Sequence, residues 1–143
     1  MAISAKKLIA SISFILLSMV ATAQEYRVSI DARGKEITGI CAMSQQDGCT
    51  VGTIVNEFGV KALDFSYNGK KAKLQNVFSP INKWYIKKVV RKDIAFLLAN
   101  LNAKENRQKG KRTITFGEDG EIVMKNEKYN IAYTFTPLNE NSQ

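Results

Sequence analysis

The sequence predicts a mainly-β fold with one helical segment: an antiparallel meander that forms an unclosed or small β-barrel covered by a helix. Three observations carry this expectation. Short runs alternate apolar and polar residues, the pattern of strands that cover a core with one side and meet water with the other. Turn signals join these runs as a succession of hairpins, which favours a meander that curls on itself. One stretch, Ser79 to about Asn102, switches to the three- and four-residue spacing of a helix.

The chain opens with Lys6 and Lys7, an apolar run from Leu8 to Val20 interrupted only by serines, and the small residues Ala21-Thr22-Ala23. This is the layout of a secretory signal peptide cleaved after Ala23. It implies export, with the periplasm as the expected location, and leaves residues 24–143 as a single domain. The run is too short and wrongly flanked for a stable membrane span. No cysteine stands at the cleavage point, which argues against a lipid-anchored lipoprotein.

Tyr26 to Ile30 reads as the first strand, ended by Asp31-Ala32-Arg33-Gly34. Glu36 to Met43 and Cys49 to Asn56 form a hairpin around the turn Ser44 to Gly48. Antiparallel pairing about Gln45 sets Cys41 opposite Cys49, where a cross-strand disulfide is geometrically reasonable and an oxidising compartment favours it. The two cysteines lack the C-x-x-C spacing of a redox pair. Glu57-Phe58-Gly59 then turns the chain into Val60 to Tyr67. Asn68-Gly69 is the strongest hairpin signal, because both residues accept positive φ. Lys71 to Phe78 follows as a strand.

In the helical stretch, Ser79-Pro80 fits an N-cap followed by proline at the first helical position. Ile86, Val89, Val90, Ile94, Leu97 and Leu101 recur on one face, with Trp84, Lys87, Lys88, Arg91 and Lys92 on the other. Asp93 falls near the centre of the apolar face, and an unpaired buried carboxylate is costly. The simplest resolution is a break at Arg91-Lys92-Asp93, with Asp93 capping a second helix from Ile94 to Asn102. Trp84 to Val90 also has the residues of a strand. The basic stretch Lys104 to Arg112 reads as a solvated loop. Arg112 to Phe116, the turn Asp119-Gly120, Glu121 to Lys125 and Tyr129 to Phe135 complete the meander, and Asn139 to Gln143 forms a polar tail.

Composition narrows the chemistry. The chain has no histidine, which removes Ser-His-Asp and Cys-His arrangements and the usual catalytic zinc spheres. No catalytic residue, metal or cofactor is expected. The carboxylates Glu57, Asp64 and Asp93 would serve a hydrolase only by converging in a cleft. The formal charge is +8, and +6 without residues 1–23. In an exported protein this points to anionic lipid surfaces or acidic polymers rather than nucleic acid. Trp84 among Lys87, Lys88 and Arg91 suits contact with a membrane interface or a partner, and equally a solvated helix face. A curved sheet under a helix can enclose an acyl chain or other apolar ligand. Phe65, Tyr67, Ile131, Tyr133 and Phe135 would line that space, or fill it as an ordinary core.

The segment Val51-Gly52-Thr53-Ile54-Val55-Asn56-Glu57-Phe58-Gly59-Val60-Lys61-Ala62-Leu63-Asp64-Phe65 has the shape of a strand, a polar-Gly turn and a strand. Lys71-Ala72-Lys73-Leu74-Gln75-Asn76-Val77 adds the next strand before the helical excursion. In this order of elements the chain resembles the lipoprotein-localisation factors of the Gram-negative envelope, LolA and LolB. The resemblance implies an unclosed antiparallel barrel covered by helices, whose concave apolar surface receives acyl chains. The expected function is therefore non-catalytic binding of an apolar or lipid-like ligand, with a lipid or acylated protein as partner. The rival expectation is an interaction module that uses a basic surface and encloses nothing.

Overall fold

The computed structural model describes residues 23–138. The expected signal segment, Ala23 apart, and the tail at 139–143 lie outside the described residues. Nine strands form one antiparallel sheet: β1 (Gln24–Ala32), β2 (Lys35–Gln46), β3 (Cys49–Asn56), β4 (Lys61–Tyr67), β5 (Ala72–Gln75), β6 (Arg107–Lys109), β7 (Arg112–Phe116), β8 (Ile122–Asn126) and β9 (Ile131–Pro137). Helix α1 (Trp84–Asn100) joins β5 to β6. The strand order is β5-β4-β3-β2-β1-β9-β8-β7-β6. Two meanders, β1 to β5 and β6 to β9, therefore meet where the first strand pairs with the last, from Tyr26 opposite Pro137 to Ala32 opposite Ile131. The sheet stays open between β5 and β6, and α1 is the connection between those two edges.

Strand alternation sets the inner side. Tyr26, Val28, Cys41, Met43, Ile54, Leu63, Phe65, Ile114, Met124, Tyr133 and Phe135 are buried in one apolar cluster with Ile94, Leu97 and Leu98 of α1. Tyr26 meets Phe135 edge-on, with ring centroids 5.8 Å apart, an arrangement the ring quadrupoles favour. Gly52 lies opposite Phe65. A Cβ there would come within 2.2 Å of the Phe65 ring, so the glycine makes room for that ring in the core. A register shift between Ile54 and Val55 bulges the β3–β4 ladder, which increases bend and twist in a sheet.

The Cys41–Cys49 disulfide expected from sequence is not formed; both cysteines are free thiols. The hairpin turns on two residues, Asp47 and Gly48, both at positive φ, so Gln46 pairs with Cys49 and Cys41 pairs with Ile54. Five positions along a strand separate Cys49 from the residue opposite Cys41, about 17 Å, beyond the reach of a disulfide. The tight turn prevails because its positive-φ twist matches that of the flanking strands, which a five-residue loop does not provide.

Other expectations shift by local chemistry. Ser79-Pro80 opens a separate 3-10 turn, Ser79–Ile81, closed by the Asn82 N–H on the Ser79 carbonyl. Lys83 is extended, and the helix starts only at Trp84. Trp84 to Val90 is helical, and no break occurs at Asp93. Asn68-Gly69 lies in a four-residue loop, not a two-residue one: the Asn68 side-chain oxygen accepts from the Lys70 and Lys71 N–H groups, and only Gly69 takes positive φ. Part of the basic stretch read as a loop, Arg107–Lys109, is the edge strand β6.

Burial pushes the Cys41 thiol up to about 12, so at neutral pH almost none of it is the reactive thiolate. Cys49 is partly exposed. Brief alkylation of the folded protein should label Cys49 and spare Cys41, with both labelled in denaturant; peptide mass spectrometry checks this.

Candidate functional site

The centre of the site is Asp93, which faces inward from α1 and is 1 % exposed. Its carboxylate is met by one donor from each of three successive strands. The Arg112 Nε of β7 and the Asn126 Nδ2 of β8 both donate to Oδ1 at 2.8 Å. The Tyr133 hydroxyl of β9 donates to Oδ2 at 2.6 Å. The ladder brings these donors together: Arg112 lies opposite Asn126, and Met124, the inward residue before Asn126, lies opposite Tyr133. Asn126 also accepts from the Tyr129 N–H, tying the β8–β9 turn to the same cluster. No buried side-chain nitrogen or oxygen among the described residues lacks a partner. Helix propensity and apolar packing on either side of Asp93 therefore continue unbroken, because the carboxylate is paired and needs no helix end to satisfy it.

Burial, the adjacent Asp93 charge and the hydrogen bond to it hold the Tyr133 phenol well above its ordinary range, against a smaller opposing effect of Arg112. Partial burial pushes the Asp64 carboxyl up, but hydrogen bonds from Thr53, Asn76 and Lys61 and the Lys61 charge outweigh it and leave the group below its ordinary value.

Beside this cluster lies an open cleft of about 1500 Å³. Its lining comes from five places: the end of β1 and the β1–β2 turn, the β4–β5 loop, α1 with the preceding turn, the β6–β7 hairpin, and the β8–β9 hairpin. The apolar part includes Ile81, Ile86, Val89, Val90, Phe96 and Ile131. The cationic part is Arg33, Lys70, Lys88, Lys92, Arg107, Lys109, Lys111, Arg112 and Lys128, and among the described residues no Asp or Glu lines the cleft. Arg107 shares its charge with the exposed Glu105 at 3.4 Å. Arg112 and Asn126 belong to both cleft and cluster. The helix is divided accordingly: its second half inserts Ile94, Leu97 and Leu98 into the core, while Ile86, Val89 and Val90 in its first half are only half-buried.

No protein-family model matches the chain, and no curated protein matches it.

The residues singled out from sequence divide between core and cleft. Tyr67 and Ile131 line the cleft. Phe65, Tyr133 and Phe135 are buried in the filled core. Trp84 is 75 % exposed, stacks edge-on against Tyr85 and lines the cleft together with Lys88. Lys87 and Arg91 do not line it. Glu57 accepts from Thr38, Asp64 pairs with Lys61 and Asn76, and Asp93 is held in the buried cluster. The three carboxylates do not converge, and none lines the cleft. Sequence reasoning missed Arg112 and Asn126. The available signal was strand alternation, which sets Arg112 on the face of Ile114, and Asn126 on that of Met124 and Ile122. Two polar residues at inward positions and an acid on an apolar helix face are complementary exceptions.

Removing the carboxylate leaves three donors without their acceptor. Asp93→Ala should lower stability by about 3 kcal/mol, the low end for a broken buried pair because Arg112 still reaches water. Lys92→Ala should change it by less than about 0.5 kcal/mol. Denaturant midpoints measure both. Above about pH 10 the unfolded chain releases a phenolic proton that folded Tyr133 retains, so its stabilisation is complete below that pH and declines as pH rises. Tyr133→Phe should flatten the alkaline fall in stability, measured by denaturation at stepped pH.

Proposed function

We propose that this is an exported, periplasmic cell-envelope protein that binds an apolar or lipid-like ligand without catalysis, in the manner of the lipoprotein-localisation factors LolA and LolB that its order of elements resembles. The carrying observation is the half-open cleft between α1 and the hairpins, with Val89, Val90, Phe96 and Ile131 on its walls. An unclosed sheet with one helix across its open side supports the reading. Such clefts bury apolar chains while leaving an entrance for loading. The ligand surface is the cleft wall, with Tyr67 and Ile131 contributing, and Phe65, Tyr133 and Phe135 forming the packed floor behind it.

A second reading is favoured by the exposed Trp84–Tyr85 pair beside Lys87, Lys88 and Arg91. An indole at headgroup depth with cations around it suits an anionic membrane surface or a partner protein. The basic face would then act without an internal ligand.

The protein purified from its native compartment should carry an acyl-containing molecule in native mass spectrometry and bind a polarity-sensitive lipid analogue. Ala95→Trp, which fills the cleft from α1, should weaken that binding about tenfold or more. Absence of both ligand and analogue binding, with sedimentation on anionic vesicles that Trp84→Ala abolishes, would replace this reading by the second.

A further inference from the structure

We infer, resting on the lipid-binding reading above, that the ligand is an anionic amphiphile whose acyl part lies along the apolar wall of the cleft and whose phosphate or carboxylate headgroup is held by the cationic lining, with Arg112 as the fixed donor. The charge distribution comes first. The whole chain has 13 acidic to 21 basic residues, yet among the described residues nine basic and no acidic side chains line this one cleft. They arrive from five separate segments of the chain. Eight of the nine are exposed and Arg112 alone is half-buried, so water and salt weaken their mutual repulsion without removing it at this density of like charge. An anion in the cleft relieves that repulsion, and a neutral ligand leaves it in place.

Arg112 supplies the geometry. Its Nε is committed to Asp93 Oδ1, and among the described residues its two Nη groups have no side-chain partner. The Asp93 carboxylate is in turn held by Asn126 and Tyr133. The guanidinium is therefore oriented before any ligand arrives, which spares part of the ordering cost of binding. Two parallel N–H donors match the oxygens of a phosphate or carboxylate. Ile86, Val89, Val90 and Ile131 line the same cleft. A free anion would leave that wall unused, and a neutral chain would leave the cations unused; an amphiphile engages both.

The test displaces a neutral polarity-sensitive dye from the full mature chain at low salt with three competitors: dioctanoyl phosphatidylglycerol, dioctanoylglycerol and inorganic phosphate. Phosphatidylglycerol should displace the dye at about tenfold lower concentration than the diacylglycerol, the gap should narrow as salt is added, and phosphate alone should not displace it. Arg112→Lys, which keeps a cation beside Asp93 but removes the fork, should move the phosphatidylglycerol value toward that of the diacylglycerol. So should the surface double variant Lys92→Gln/Lys111→Gln, which leaves the buried cluster intact. Equal displacement by the two lipids overturns this inference and leaves the lipid-binding reading standing. Displacement by neither lipid overturns both. Displacement by phosphate as strong as by phosphatidylglycerol assigns the cleft to a small anion and likewise overturns both.

Discussion

A single carboxylate in a nearly dry interior constrains the arrangement of this molecule. Asp93 is tolerable there only because β7, β8 and β9 each bring it a donor, and those donors are tolerable at inward positions only because Asp93 is present. The four side chains form a closed set. A leucine at position 93 would suit the apolar face of α1 and would orphan Arg112, Asn126 and Tyr133. Replacing such a cluster by hydrocarbon costs little in principle, so its worth lies in specification more than in net stability. An apolar helix can slide or rotate on an apolar sheet at small cost. One whose carboxylate must meet three directed donors has one position.

That position divides the helix-covered side of the sheet. The second half of α1 is drawn down onto Ile114, Met124 and the aromatic residues of β1, β4 and β9, and the space there is filled. The first half runs on past the cluster with its apolar residues half-buried, and the cleft opens beside it. The same interaction that closes the core therefore sets where the core stops. It also holds the guanidinium of Arg112 at the border between the two regions.

Much of the fold was legible in the chain. Alternation located eight of the nine strands to within a few residues, and helical spacing found α1, because both signals are local and repeat over several turns or pleats. What escaped notice depends on non-local pairing. The Cys41–Cys49 hairpin admits either a five-residue turn or the Asp47-Gly48 turn, and shifting the turn moves Cys41 from Cys49 to Ile54. Asp93 looked like a helix end because its donors lie 19 to 40 residues further on. β6 is three exposed polar residues without alternation to read. Of the candidate ligand residues, Tyr67 and Ile131 sit at strand ends and reach the cleft. Phe65, Tyr133 and Phe135, nearer strand centres, are buried in the filled core. Alternation tells which side a residue faces and not what stands over it.

The pairing of the first strand with the last has a kinetic consequence. Tyr26 finds Pro137 and Val28 finds Phe135 across nearly the whole length of the domain, a closure whose entropic cost is met before the contacts reward it. Until residues 131–137 arrive, the first meander presents β1 as a bare edge, with Tyr26 and Val28 uncovered. Unpaired edges of that kind template association with other chains. The sheet can assemble from its flanks inward, but its central seam is sewn last, and a chain emerging from its N-terminus stays open to intermolecular pairing until residues 131–137 have been made.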